Sequence, residues 1–345
     1  MEVVGNSPDS TSSEITVLLP MRNEEFFARE KIGSVIEEVA NHENVRILVI
    51  DSDSTDSTSK IASKTLEDSI IPKDRWFVSE RQPPGKTYAI NYALGLISSD
   101  FIIMMDADAR CNPGWLKTFM EIFLDREVGL VCGVQKFDTS TSGFSNESTY
   151  KKYSNHRRIK QSEKSSIIIS EGSICCFRID SLGGDLLDNR YNADDTQISL
   201  MCIRNGFKCK MDSRISFVEE FKVSRRMDYS RRIRRGRGLA LVLTKNLDLI
   251  NPRINNINPG FFFNTILLYL FAPWIVLFSI ASLFSVCLYL FYAERLDYYY
   301  MVACLILGLF LVKNRFLISF VEGCFIMILA QFSISLLSKS LNLFL

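Results

Sequence analysis

Two histidines, His42 and His156, are all that this chain of 345 residues contains, and none of its nine cysteines stands in a Cys-x-x-Cys pair. Cys175-Cys176 and the pair Cys202 and Cys209 could supply metal ligands, but so few sulfur and nitrogen donors at such spacing disfavour structural zinc. The odd cysteine number reads instead as small core residues of a reducing compartment. An excess of charge is also missing: 40 Lys and Arg face 39 Asp and Glu, and a net charge of +1 argues against a nucleic-acid partner. The first thirteen residues lack the apolar stretch of a signal peptide and read as a flexible N-terminus over 1–13. No internal repeat is visible.

Charged residues are absent altogether from Ile257 to Tyr292. Apolar runs follow at Tyr298–Val312 and Phe316–Leu337, the latter with Glu322 as its only charge. The mean hydropathy of +0.10 thus averages a soluble first part and a hydrophobic last part. A helix needs about 20 apolar residues to cross a bilayer. The third run fits, the second is short, and Pro273-Trp274 divides the overlong first run into an interfacial segment and a span, or into two short spans. We expect a membrane domain over 257–345 with three spans, a four-span alternative staying open. Glu294, Arg295 and Asp297 mark an outer connector, Lys313 and Arg315 an inner one, so the positive-inside rule places the main domain in the cytoplasm.

In the soluble part, apolar runs alternate with helical spacing. Strands are predicted at Ile15–Pro20, Val45–Asp51, Arg75–Ser79 and Phe101–Met105, and helices over Glu24–Ala40, Lys60–Leu66 and Lys86–Ile97. The sheet continues through Val128–Val134, Ile167–Phe177 and Cys209–Val218, with a helix at Asp195–Ile203 and a Ser/Thr-rich mobile loop over Asp138–Thr149. This pattern predicts an α/β fold over 14–221, an open and mostly parallel sheet with flanking helices. Ligand crevices in such sheets form at the carboxyl ends of strands, where Pro20, Asp51 and Asp106 all fall.

Asp106-Ala107-Asp108 carries two carboxylates of the same strand parity where a strand runs out. Local turning can aim both at one cation, and oxygen-only ligands suit Mg²⁺ or Mn²⁺, which can bridge diphosphate oxygens. By itself such a pair is more often an ordinary polar loop. Asp51-Ser52-Asp53-Ser54-Thr55-Asp56 has a bland reading as a helix-capping turn, which accounts for Ser54 and part of Asp56. Asp51, with Asp53 nearby, is better placed to accept hydrogen bonds from a nucleobase or ribose, and Arg22-Asn23-Glu24 after Pro20 forms another wall. Pro84-Gly85-Lys86-Thr87 imitates a phosphate loop, but Glu80 stands where the first glycine is required. Lys86 can still meet phosphates as a point charge.

Asn192-Ala193-Asp194-Asp195 opens a helix and could be no more than an acidic first turn. Alternatively, one carboxylate takes a proton from an acceptor while its crowded neighbour raises its pKa, and spacing alone does not separate the two. Between Lys222 and Arg237 lie Arg225, Arg226, Arg231, Arg232, Arg234, Arg235 and Arg237 against Asp228 alone. A positive flank over 222–256, binding anionic membrane lipids as juxtamembrane or interface helices, is the blandest account. Some of these arginines can instead turn inward to clamp a diphosphate.

Taken in order, Pro20 to Glu25, Asp51 to Asp56, Gly85-Lys86 with Ala89, Asp106-Ala107-Asp108, Glu171-Gly172, Asp194-Asp195 and Arg232-Ile233-Arg234-Arg235-Gly236 resemble the membrane glycosyltransferases of family 2. The resemblance covers roughly Ile15–Gly238 and implies a GT-A catalytic domain followed by C-terminal membrane helices. It further implies that Asp51 contacts the nucleobase, Asp106 and Asp108 bind the sugar diphosphate and its Mg²⁺ or Mn²⁺, Asp195 is the catalytic base, and Arg234 with its neighbours Arg231, Arg232 and Arg235 holds the leaving diphosphate. Asp194-Asp195 stands where relatives often have Glu-Asp. The Gln-x-x-Arg-Trp of polysaccharide synthases is missing, since Arg235 follows Arg234 and no Trp lies nearby. The expectation is therefore an inverting hexosyltransferase using a UDP- or GDP-sugar and a lipid or lipid-linked acceptor, with oligomerisation left open. A processive polysaccharide synthase and a non-catalytic nucleotide-sugar-binding scaffold are the alternatives.

Overall fold

Ile15–Met21 forms β1 because an unbroken apolar run can be buried on both faces of a sheet. The elements that follow are α1 (Ala28–Val39), β2 (Val45–Asp51), α2 (Thr58–Glu67), β3 (Trp76–Ser79), α3 (Lys86–Leu96), β4 (Phe101–Met105), β5 (Ala109–Cys111), α4 (Trp115–Phe123) and β6 (Val128–Gln135). Next come α5 (Asn146–Lys164), β7 (Ile174–Arg178), α6 (Asp194–Arg204), β8 (Lys208–Glu219), α7 (Arg225–Lys245), α8 (Pro259–Ile266), α9 (Ala272–Tyr292) and α10 (Arg315–Leu341). The structure, a computed structural model, describes residues 13–79, 83–136, 146–219, 225–255, 258–292 and 315–341.

The strands lie side by side in the order β3-β2-β1-β4-β7-β6-β8-β5. β1 to β4 are mutually parallel. β7 then enters antiparallel between β4 and β6, and β8 runs parallel to β6 but antiparallel to β5. The result is a mixed α/β sheet whose first half matches the expected parallel pattern. Chain order reverses beside β1, with β2 on one side and β4 on the other, so a crevice opens at their carboxyl ends.

Both faces of the sheet are covered. Ile32 and Val35 of α1, Leu66 of α2 and Phe119 of α4 pack on one side. Ile90 of α3, Ile198 of α6, Leu243 of α7 and Phe262 of α8 pack on the other. Five of the six cysteines of the soluble part, Cys132, Cys175, Cys176, Cys202 and Cys209, are buried free thiols of this core, Cys111 is half-buried against it, and burial pushes Cys132 up to about 12.

The elements absent from the sequence reading are β5, α4 and α5. α5 occupies part of the stretch expected to be loop, since residues 146–149 already belong to it. Its inward face is polar, with Asn155, Arg158 and Ser162 buried, and such a face hides a helix from any search for apolar periodicity. The remainder of the Ser/Thr-rich segment, 137–145, lies outside the described residues, as do 1–12.

From Pro259 to Tyr292 the chain is helical without interruption, with a π-helical turn at Leu267–Phe271 between α8 and α9. Pro273 therefore does not divide the run. Proline lacks an N–H and crowds the carbonyl four residues back, here Tyr269, and a π turn absorbs that misfit. Gln331 of α10 donates to the carbonyls of both Tyr269 and Leu270 at 3.3 Å and accepts from Trp274 Nε1 at 2.5 Å. Pro259–Val286 is long and apolar enough to cross a membrane, while Phe320–Ile334 is a shorter apolar helix. The second expected span, 298–312, and both connectors up to residue 314 lie outside the described residues.

Candidate active site

Three strand ends and the start of α6 build the site. After β1, Asn23 adopts a left-handed backbone (φ 55°), and after β2 so does Asp53 (φ 59°), an uncommon state that Asn and Asp tolerate better than other side chains. These two loops are laced together: the Asn23 N–H donates to Ser54 Oγ at 2.9 Å, and Thr55 N–H donates to Asn23 Oδ1 at 2.8 Å. Glu24 N–H reaches Thr58 Oγ1 at 2.8 Å. Buried Asp51 accepts from the N–H and the hydroxyl of Ser54, so its carboxylate holds the turn that shapes this wall. Pro20 stands in register with Ile50, while Arg22 and Asp53 are exposed on the loops.

Lys86, at the first position of α3, ties the other parts together. Its ammonium lies 2.7 Å from Asp106 Oδ1, 3.3 Å from Asp194 Oδ2, and donates to the Gly172 carbonyl at 3.0 Å. The Asp194 contact has ion-pair distance without hydrogen-bond alignment. Burial would lower the Lys86 pKa, but Asp106 and then Asp194 outweigh it and hold the lysine charged. Asp106 itself is fixed by its N–H, which donates to Ser173 O at 2.9 Å.

Carboxylates crowd around the end of β4. Burial, then Asp106, then Glu219 push Asp108 up to about 6. Burial, then Asp108 and Asp106, push Glu24 up to about 7. Such mutual repulsion is what a bound cation would relieve, and the donors are hard oxygens. Among the described residues no group of three or more His, Cys, Asp and Glu is placed to hold an ion unaided. Behind this cluster Lys31, buried in α1, donates to the Ala109 carbonyl at 2.7 Å, and burial lowers it to about 8.

At the start of α6, burial, then Asp194, then Glu171 raise Asp195 to about 7. Its Oδ1 accepts the Thr196 N–H at 2.7 Å. Gly172 makes room for it: a Cβ there would lie 3.1 Å from Asp195 Cβ. Glu171 is held ionised by Arg158, its partner at 2.9 Å, despite burial that would raise it. Arg158 also donates to the carbonyls of Ile169 and Ser170 and to Asn155 Oδ1.

A cavity of about 470 Å³ joins Lys86, Asp106, Asp194 and Asp195 to Arg232, Arg234 and Arg235. Polar residues including Lys151, Arg158, Glu171 and Asn192 line it as well, and an apolar part comes from Leu239 of α7, Tyr269 and Pro273 at the π turn, and Phe320, Cys324 and Met327 of α10. Arg231 does not line it, nor do Pro20, Arg22, Asn23, Glu24, Asp51, Asp53 and Asp108. Charge connects the two regions: Asp106 and Asp108 act on Glu24, and Arg22 belongs to the cationic field that, after burial, lowers Arg234. Glu219 and Arg158 escaped the sequence reading. Glu219 closes β8, and its position at a strand end beside β5 was the signal available; Arg158 lies in the helix hidden by its polar face.

Two family patterns match the chain, Glycosyl transferase family 2 over residues 16–183 and Glycosyl transferase family group 2 over residues 101–313. An uncharacterized glycosyltransferase of Haemophilus influenzae is 27% identical over 133 residues, 34% of this chain and 40% of that protein. The minor teichoic acid biosynthesis protein GgaB of Bacillus subtilis is 24% identical over 114 residues, 33% of this chain. That match spans 12% of GgaB's own length, so neither relative is matched over its whole extent. The mannosyltransferase PcManGT from Pyrobaculum calidifontis, solved with GDP-Man and Mn²⁺, superposes with a TM-score of 0.76 at 21% identity. That superposition covers 94% of this chain and 88% of the other, and it shows the GT-A-like fold. A pattern matched over more than half of the chain, on this fold, makes the protein a glycosyltransferase belonging to family 2.

Proposed function

We propose that this glycosyltransferase moves a sugar, with inversion, from a UDP- or GDP-sugar to a lipid or lipid-linked acceptor at the cytoplasmic face of a membrane. The observation that carries the reading is the mixed lining of one cavity, where carboxylates and arginines meet apolar side chains of α7, the π turn and α10. A sugar diphosphate matches the charged groups and an amphiphile the apolar ones. The apolar helix Pro259–Val286 and the basic α7 before it fit a site built against a bilayer.

The acceptor oxygen attacks the anomeric carbon from the face opposite the diphosphate. The bond from that carbon to the diphosphate oxygen breaks, the proton passes to Asp195, and the nucleoside diphosphate leaves. Arg234 and Arg235 hold the diphosphate through forked donors, and Lys86 keeps Asp106 and Asp194 in place. Asp106 and Asp108 would hold Mg²⁺ or Mn²⁺, which would neutralise charge developing on the leaving group. The loops carrying Asn23 and Asp51 form the nucleoside side. Residues 14–221 would act as the catalytic unit, with 222–256 as interface helices and 257–345 as the membrane part.

Mass-resolved transfer in native-like membranes, across UDP- and GDP-sugars with Mg²⁺ or Mn²⁺, tests the proposal. One or a few added sugars on a lipid-extractable product is expected, and chelation should abolish transfer. Long polymer ladders would replace the acceptor reading with processive synthesis. Donor binding without turnover in the reconstituted protein would remove the reaction.

A further inference from the structure

Glu322 is the only charged residue from Phe316 to Leu337, and an apolar helix does not hold a lone carboxylate without a partner. Its Oε1 accepts from Tyr229 Oη and from Arg232 Nη1, each at 2.9 Å. Both donors sit on α7, three residues apart and therefore on a shared helix face. One turn later the same helices touch closely, since a Cβ on Gly236 would lie 3.1 Å from Met327 Sδ and 3.3 Å from Ala330 Cβ. Arg235, three residues beyond Arg232, stands instead in the field of Glu219, Asp106, Glu171 and Asp195. Both arginines line the cavity; Arg232 is paired with α10 through Glu322, while Arg235 stands in the field of the site's carboxylates.

We propose that Glu322 is a positioning residue for the leaving-group site: it holds Arg232 against α10 and leaves the diphosphate to Arg235 and Arg234. The proposal rests on the nucleotide-sugar reading above and refines it, because the resemblance alone gives Arg232 to the diphosphate. By holding one guanidinium back, Glu322 sets how many cations meet the departing nucleoside diphosphate, and so how readily that product leaves. With the Glu322 carboxylate removed, Arg232, which lines the same cavity, would pair with the diphosphate and retain it.

The full chain in lipid nanodiscs, titrated calorimetrically with GDP and with UDP at fixed Mn²⁺ and followed for transfer in steady state, provides the test. Glu322→Leu, which removes the acceptor, should bind the nucleoside diphosphate about threefold to tenfold tighter, as one added charge-assisted contact would give, with kcat and donor KM falling together. Arg232→Ala should weaken binding by about threefold at most, whereas Arg235→Ala should weaken it by about tenfold or more. The double variant Glu322→Leu with Arg232→Ala should return to the affinity of Arg232→Ala alone, which a purely structural tie would not produce. Equal weakening by Arg232→Ala and Arg235→Ala overturns the proposal, as does unchanged diphosphate affinity in Glu322→Leu. Arg232→Ala decides alone if the Glu322 variant does not fold. Wild-type protein that binds neither GDP nor UDP would instead overturn the nucleotide-sugar reading itself.

Discussion

Lys86 Nζ stands 2.7 Å from Asp106 Oδ1, so the first residue of α3 is tied to the end of β4 across the crevice. The same ammonium meets Asp194 and the Gly172 carbonyl, which makes it the common neighbour of the proposed phosphate, metal and base positions. Methionine at position 86 keeps the bulk but leaves two carboxylates facing each other without a cation. We expect Lys86→Met to lower kcat/KM on the order of 100-fold, as for loss of one preorganised charge in an active site. Arginine should rescue poorly, because a planar fork cannot replace a compact ammonium held by three oxygens. Kinetics beside a thermal melt checks this. A full loss of Tm with kcat/KM preserved in the folded fraction would make Lys86 a structural tie only.

Asp195 has a folded pKa of about 7, above its ordinary 3.8, and that sign fixes two opposite pH trends. Its protonated form favours the fold, so this contribution is complete below about pH 4 and lost as pH rises through 7. The base form needed to accept a proton appears over the same interval. Transfer should therefore climb toward pH 7 and level off above it. Asp195→Asn should remove that limb, retain only about a hundredth or less of the activity, and melt at a higher temperature than wild type at pH 8. An unchanged acid limb in the Asn variant would assign it to another group.

How legible this was depends on the kind of signal. β1, β2 and β4 were readable because buried parallel strands are continuous apolar runs, and the ligand crevice followed from their ends. The convergence of Lys86 on Asp106 and Asp194 was not, since 20 and 108 residues of chain separate them and only the crossovers of the sheet bring them together. α5 was hidden because Arg158 and Asn155 replace the apolar face that periodicity detects. The arginines of α7 were visible as a block, but one sequence does not say which pair with α10 and which stand in the field of the site's carboxylates. That distinction rests on Glu322, a residue that looked like an isolated charge in an apolar run.

Two glycines on α7 should respond differently to the same substitution. Alanine for glycine within a helix ordinarily stabilises by about 1 kcal/mol. At Gly238 the added Cβ would lie 2.8 Å from the carbonyl carbon and 2.9 Å from the oxygen of Asn192, backbone that cannot step aside without moving the start of α6. At Gly236 it would meet Met327 Sδ at 3.1 Å, which can swing away, and Ala330 Cβ at 3.3 Å, which α10 accommodates by a shift of a few tenths of an ångström. Gly236→Ala should therefore leave Tm and transfer close to wild type. Gly238→Ala should lower both, with kcat falling more than donor KM rises because Asp194 and Asp195 follow Asn192. Equal behaviour of the two variants would show that α7 slides freely over the Asn192 loop.

Glu171 links stability to the base. Its pairing with Arg158 at 2.9 Å is screened from solvent, and truncating one partner of such a pair strands the other, at a cost of about 3–5 kcal/mol. Glu171→Ala is thus expected to destabilise strongly, whereas Glu171→Gln keeps a hydrogen-bond acceptor for Arg158 and should fold. The Gln variant isolates the electrostatic effect, because Glu171 is among the charges that raise Asp195. With that charge gone and Arg158 still in place, the Asp195 carboxylate ionises more easily. The acid limb of the pH profile should move to lower pH while the plateau changes little. Movement in the opposite direction would mean that Asp195 is not the group whose ionisation limits transfer.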